Sequence, residues 1–137
     1  MKSYIDLIKS LDGKVFTSQT IDAIENSQKN LNFSEELKGF LMETNGMSHE
    51  RFKILPLFDK NDPKFTWDSL ERANDIATTK FGVDKELLED FVVFAELEGL
   101  TCAMMSKKDG KIWYEDSEGF NSTSLTLEDF ITNASKE

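Results

Sequence analysis

Apolar positions in the first half of the chain recur three and four residues apart, and in the second half they gather into short blocks. That change of period predicts helices first and strands afterwards. Tyr4, Ile5, Leu7, Ile8 and Leu11 make a short amphipathic helix over 4–11 that Asp12-Gly13 ends. A second helix, capped by Thr17 or Ser18, carries Ile21, Ile24, Gln28 and Leu31 on one side. In the third, Ser34 is the N-cap and Glu35 and Glu36 sit at the positive end of the helix dipole. Leu37, Phe40 and Leu41 form its buried stripe, and Asn45-Gly46 stops it.

Phe52–Leu57 reads as a strand with Pro56 at its end or edge, followed by an exposed loop. Thr66 caps a fourth helix from Trp67 to about Lys80, with Leu70, Ala73, Ile76 and Ala77 inward and Gly82 beyond its end. Phe91–Leu97, Leu100–Ser106 and Ile112–Asp116 follow as strands, turning at Glu98-Gly99 and at Asp109-Gly110. Thr126, with Asp129 three residues on, caps a last helix anchored by Leu127, Phe130 and Ile131. Helices, a strand meander and a closing helix predict an α+β fold with N-terminal helices on a mainly antiparallel sheet. With no repeat and no linker, residues 1–137 read as one domain.

Composition supports a folded chain: 39% of residues are hydrophobic, eleven of them Phe. The single cysteine, Cys102, excludes an internal disulfide and reads as buried and structural. The N-terminus does not read as a signal peptide, and no apolar run approaches the ~20 residues of a membrane helix. A soluble cytoplasmic protein is the expectation.

The net charge of −10 repels nucleic acid and anionic membranes and attracts basic partners. It is unevenly spread. Glu86–Ser106 holds five acids and no Lys or Arg, and Ile112–Ser135 holds five more, again without a base. If folding joins the two segments, one face is strongly negative and suits a basic partner; otherwise the acids are an ordinary solvated surface.

Candidate chemistry is sparse. One histidine, His49, cannot build a usual zinc site with Cys102 alone. There is no nucleotide-binding glycine loop and no nucleophile elbow. Acid pairs are expected by chance among 26 acids, and Asp59 to Asp62 lacks the spaced ligands and closing Glu of a calcium loop. No catalytic residue, metal or cofactor is expected. Trp67, Trp113 and Tyr114 are candidate interface aromatics. Trp113 and Tyr114 are strand neighbours, so one is expected in the core and the other outside.

The order of these signals resembles the SUKH superfamily, which includes fungal cell-wall synthesis regulators and many bacterial immunity proteins. The matching positions are Ile21, Ile24, Glu25, Leu37, Phe40, Leu41, Asn45 and Gly46, then Phe91, Val93, Phe94, Gly99, Gly110, Ile112, Trp113, Tyr114 and Phe130. They span residues 17–134. Asn32-Phe33 stands where the family often has Leu-Pro, and only Glu98-Gly99 where it often has a glycine-rich turn. The resemblance implies a non-enzymatic immunity protein of a polymorphic toxin system, binding a cognate toxin domain, commonly a nuclease with a basic surface. The alternative it implies is a regulatory or scaffold module. On the first reading Glu96, Glu98, Glu115, Asp116 and Glu118, with Asp59 and Asp62, form the docking face. Trp67 or Tyr114 is its exposed anchor. No direct nucleic-acid or membrane contact is expected, and a monomer or weak dimer is.

Overall fold

Ser34 begins the best-defined helix, α3 (Glu35–Glu43): its Oγ accepts from the Leu37 N–H at 3.2 Å. The same hydroxyl donates to Met105 Sδ at 3.2 Å, tying the cap to the sheet. Leu37, Phe40 and Leu41 are fully buried. Each such side chain contributes about 1.5–3 kcal/mol. In this computed structural model, residues 3–16, 18, 20–31, 34–59, 61, 63–97, 101–116, 119–123 and 126–136 are described.

Two helices precede α3. Ser3 caps α1 (Tyr4–Ser10), and the Thr20 hydroxyl accepts from Ala23 N–H in the first turn of α2 (Ile21–Leu31). The cap is thus three residues later than Thr17, which lies outside the described residues, and two later than Ser18. Seven strands are described, pairing in chain order and every pair antiparallel: β1 (Lys14–Val15), β2 (Met47–Ser48), β3 (Phe52–Ile54), β4 (Phe91–Leu97), β5 (Thr101–Ser106), β6 (Ile112–Asp116) and β7 (Gly119–Ser122). The fold is α+β, as the change of period predicts. The short strands β1, β2 and β7 escape the hydrophobic pattern. The Glu98-Gly99 turn lies outside the described residues. Lys107–Gly110 makes the next turn, with Gly110 at φ 73° and its N–H donating to Ser106 O at 2.9 Å.

The expected long fourth helix is three pieces: α4 (Pro63–Thr66), α5 (Leu70–Asp75) and α6 (Ala77–Phe81). Ser69, not Thr66, caps α5, and Ile76 at φ −111° interrupts the run. Gly82 ends α6 in the left-handed conformation at φ 71°. The closing helix α7 (Leu127–Lys136) starts as expected, with Thr126 Oγ1 accepting from Asp129 N–H at 3.1 Å. Its Phe130 ring meets Phe52 edge-on at 6.0 Å and Phe94 at 5.2 Å.

Asparagines stand in for strands where the sheet runs out. β3 leaves β4 after Leu55 N–H donates to Phe94 O at 2.9 Å. Asn45, 3% exposed, then bonds both backbone groups of Leu57, accepting from its N–H at 2.8 Å and donating to its C=O at 3.0 Å. Asn74 does the same for Val93, at 2.8 and 3.0 Å. The role of Asn45-Gly46 therefore differs from a plain helix stop. α3 already ends at Thr44, which is extended (φ −150°). Gly46, at φ 87°, then lets the chain pass close to Ile54 and Pro56, where a Cβ would stand 2.7 Å from Ile54 O.

Candidate interaction surface

The segment after Leu57 is a loop built on fixed points. Asn45 holds Leu57, and Leu70 N–H donates to Pro56 O at 2.7 Å. Phe58 N–H donates to the Glu71 carboxylate, 3.3 and 3.4 Å from its two oxygens. Thr66 Oγ1 accepts from Asp59 N–H at 2.9 Å and donates to Asp59 O at 3.1 Å. Asp59 Oδ1 accepts from Asn61 N–H at 2.9 Å, an Asx turn. Because Thr66 is clamped to Asp59, the next residue on one strand of the loop, Trp67, and the previous one on the other, Phe58, leave the same crossing. Both face solvent, Trp67 at 58% and Phe58 at 45% exposure. The Arg72 guanidinium lies over the Trp67 ring, 5.0 Å from its centroid.

Asp68, beside Trp67, opens a line of alternating charges across the sheet. Lys53 Nζ is 3.7 Å from Asp68 and 4.0 Å from Glu96, and Lys80 Nζ is 3.5 Å from Glu96. Glu96 is therefore matched by two lysines from β3 and α6 and contributes little free negative field. Such half-exposed pairs contribute about 0–1 kcal/mol each.

The register decides which expected site residues share a face. Paired residues of antiparallel strands point to the same side. Lys53, Glu96 and Cys102 form one row, and Ile54, Ala95, Ala103 and Tyr114 form the row facing the other way. Tyr114 thus points away from the Glu96 side. It is half-buried against the core, as Trp113 is half-buried with its ring edge-on to Phe91 at 5.2 Å. Neither is the exposed member expected of that pair. Cys102 is half-buried rather than buried.

Glu115 and Asp116 lie on β6, where their backbones pair with Phe120 and Gly119. Asp62, Glu98 and Glu118 lie outside the described residues. Glu86, Glu89 and Asp90 are exposed around the one-turn helix Leu87–Glu89 before β4, and Glu96 lies at the far end of that strand. Glu128 and Asp129 are on α7, which covers the opposite sheet face through Phe130. Phe58, Asp68 and Arg72 were not singled out by sequence. An aromatic directly before the polar stretch Asp59–Asp62 was the available signal for Phe58.

A second concentration of acid has a structural use. Glu36 Oε1 accepts from Leu127 N–H at 2.9 Å, and Glu43 Oε1 from Tyr4 N–H at 2.9 Å. Two carboxylates of α3 thereby receive the first N–H groups of α7 and α1. Burial first, then the Glu36, Glu43 and Glu128 carboxylates, push the Tyr4 hydroxyl up to about 12. His49 is a loop residue: its Nδ1 accepts from Arg51 N–H at 3.1 Å, and its ring lies 5.3 Å from Phe52. Among the described residues no group of three or more His, Cys, Asp or Glu side chains could hold a metal ion. No described helix is long and apolar enough to cross a membrane.

The sequence model of the SMI1 / KNR4 family (SUKH-1) matches residues 15–133. No curated protein matches the chain.

Proposed function

This chain belongs to the SMI1 / KNR4 family (SUKH-1), and from that premise we propose that it is an immunity protein of a polymorphic toxin system. It acts in the cytoplasm as a protein-binding module without chemistry of its own. It captures a cognate toxin domain, a basic nuclease by preference, and blocks it by occupying its surface. The observation that carries this reading is an exposed tryptophan, Trp67, on a chain of net charge −10. A nuclease surface is basic because it neutralises phosphates. An acidic binder imitates those phosphates and is steered onto them. Trp67 is the anchor, with Asp59, Asp62, Glu98, Glu115, Asp116 and Glu118 supplying the field. Glu96 and Tyr114 have weaker claims, the first because two lysines already match it and the second because it is half-buried.

A pull-down with the full chain as bait, in lysate from its own source, tests this at low and high salt. A basic toxin domain retained at low salt and weakened at high salt supports the reading and its electrostatics. Recovery of envelope-synthesis or signalling proteins instead favours a regulatory scaffold. If charge reversal of Glu115 and Asp116 to Lys leaves toxin binding unchanged, β6 is not part of the docking face.

A further inference from the structure

We propose that Asn45-Gly46 is a self-modification site that the fold holds shut, and that its deamidation makes prolonged unfolding of this chain irreversible. The proposal concerns the chain itself and holds whichever partner it binds. Of the eight asparagines, Asn45 alone precedes a glycine. The Gly46 nitrogen, losing its proton to hydroxide, attacks Asn45 Cγ. The Cγ–Nδ2 bond then breaks, and Nδ2 leaves as ammonia with a proton from water. Water opens the resulting five-membered succinimide at either carbonyl, giving aspartate or isoaspartate. Glycine favours ring closure because no Cβ crowds the attacking nitrogen.

The folded chain blocks each part of that step. The leaving group is held, since Asn45 Nδ2 donates to Leu57 O at 3.0 Å and Oδ1 accepts from Leu57 N–H at 2.8 Å. Expelling Nδ2 breaks the first of these bonds. The nucleophile is held as well, with Gly46 N–H donating to Thr44 O at 2.8 Å. Hydroxide and water are kept out: Thr44, Asn45 and Gly46 are all buried, and Gly46 lies against the backbone of Ile54 and Pro56. Reaction therefore runs through the opened chain, at the unfolded rate multiplied by the open fraction. Neither product closes the same lock. Aspartate sets an oxygen against Leu57 O where Nδ2 donated. Isoaspartate inserts an extra main-chain carbon before Gly46, in a passage where a Cβ would already stand 2.7 Å from Ile54 O.

The test follows deamidation by peptide mass spectrometry of the full chain. Samples are kept native or unfolded in guanidinium chloride at one mildly alkaline pH and temperature. Aspartyl-glycine pairs such as Asp109-Gly110 isomerise without a change of mass and do not confuse the readout. Asn45 should deamidate readily when unfolded and about a thousandfold or more slowly when native, as expected from open fractions of about 10⁻³ or less. In sub-denaturing guanidinium the native rate should rise with the open fraction. Unfolded Gly46→Ala chain, for which folding is irrelevant, should react many-fold more slowly. Ion exchange then separates intact from deamidated chain after the same incubation, and denaturant is removed from both. The intact fraction should regain native near-ultraviolet circular dichroism. The deamidated fraction should not at neutral pH, and its aspartate form should behave as Asn45→Asp does, recovering in acid. Comparable rates in native and unfolded chain overturn the fold as the lock. Recovery of wild-type stability by the deamidated fraction overturns the irreversibility.

Discussion

Replacing Asn45 by alanine isolates what a side chain contributes when it substitutes for a strand. Asn45 answers both backbone groups of Leu57, a residue that is itself 1% exposed. Alanine leaves a buried N–H and a buried C=O without partners. Each orphaned group costs about 1–3 kcal/mol, so the substitution should cost about 2–6 kcal/mol. That is a large part of the 5–15 kcal/mol typical of a whole domain. Asn74 makes the same two bonds to Val93, but it is half-exposed and water can replace part of them. Its alanine variant should stay near the lower end, about 1–3 kcal/mol. Asn45→Asp separates the two bonds. It keeps the acceptor for Leu57 N–H but sets a carboxylate oxygen against the Leu57 carbonyl unless it is protonated. Folding then favours the protonated form, so this variant should lose stability as pH rises through the carboxylate range and regain it in acid. Urea unfolding of all three variants, with slopes compared to wild type, reads these differences. A cost below about 1 kcal/mol for Asn45→Ala, or an equal cost at the two sites, would refute the argument that burial sets the value of the pairing.

Gly82 and Gly46 both have positive φ, but only Gly46 has backbone within reach of a Cβ. Gly82→Ala should cost about 1–2 kcal/mol from left-handed strain, and Gly46→Ala roughly twice that or more, by thermal unfolding. Glu36→Ala should expose the start of α7: amide exchange at Leu127 should speed up while that of β4 stays unchanged, with a stability loss of about 1 kcal/mol. The Tyr4 hydroxyl has an ordinary value of 10.0 and is pushed to about 12. Folding therefore favours the neutral phenol, and its contribution is whole below pH 10 and vanishes as pH climbs to about 12. Ultraviolet titration of phenolate, with Tyr4→Phe as the difference, should place this hydroxyl well above its ordinary value; a normal titration would show the phenol to be free of burial and carboxylates.

Much of the fold is visible as periodicity because local contacts produce it. The stripe of α3, the Ser34 and Thr126 caps and the bounds of β4 and β6 follow from residues within four or five positions of one another. The failures arise where a distant group decides. The fourth helix breaks because Ser69 offers a cap and Pro56, fourteen positions upstream of Leu70, receives the Leu70 N–H. β1 and β2 are two residues long and exist only through pairing, β1 with β2 and β2 with both β1 and β3. Asn45 reads as a helix-stop residue in sequence, but its bonds run to Leu57.

The candidate surface shows the same division more sharply. Trp67 stands out among polar neighbours in sequence, whereas the pairing of Phe58 with it depends on the Asp59–Thr66 clamp seven positions apart. The acids of the strands depend on parity, and parity fails inside β4. Alternation counted from Phe91 would put Phe91 and Glu96 on opposite sides of the sheet. The register shifts between Val93 and Ala95, a bulge that reverses the count. Phe91 and Glu96 consequently share one side, together with Cys102, Met104 and Trp113. Trp113, not Tyr114, is the β6 aromatic that lies on the Glu96 side. A substitution at Tyr114 perturbs the row of Ala95 and Ala103 beneath the closing helix, so it tests packing. One residue away, the same substitution tests the face on which Lys53, Glu96 and Lys80 meet.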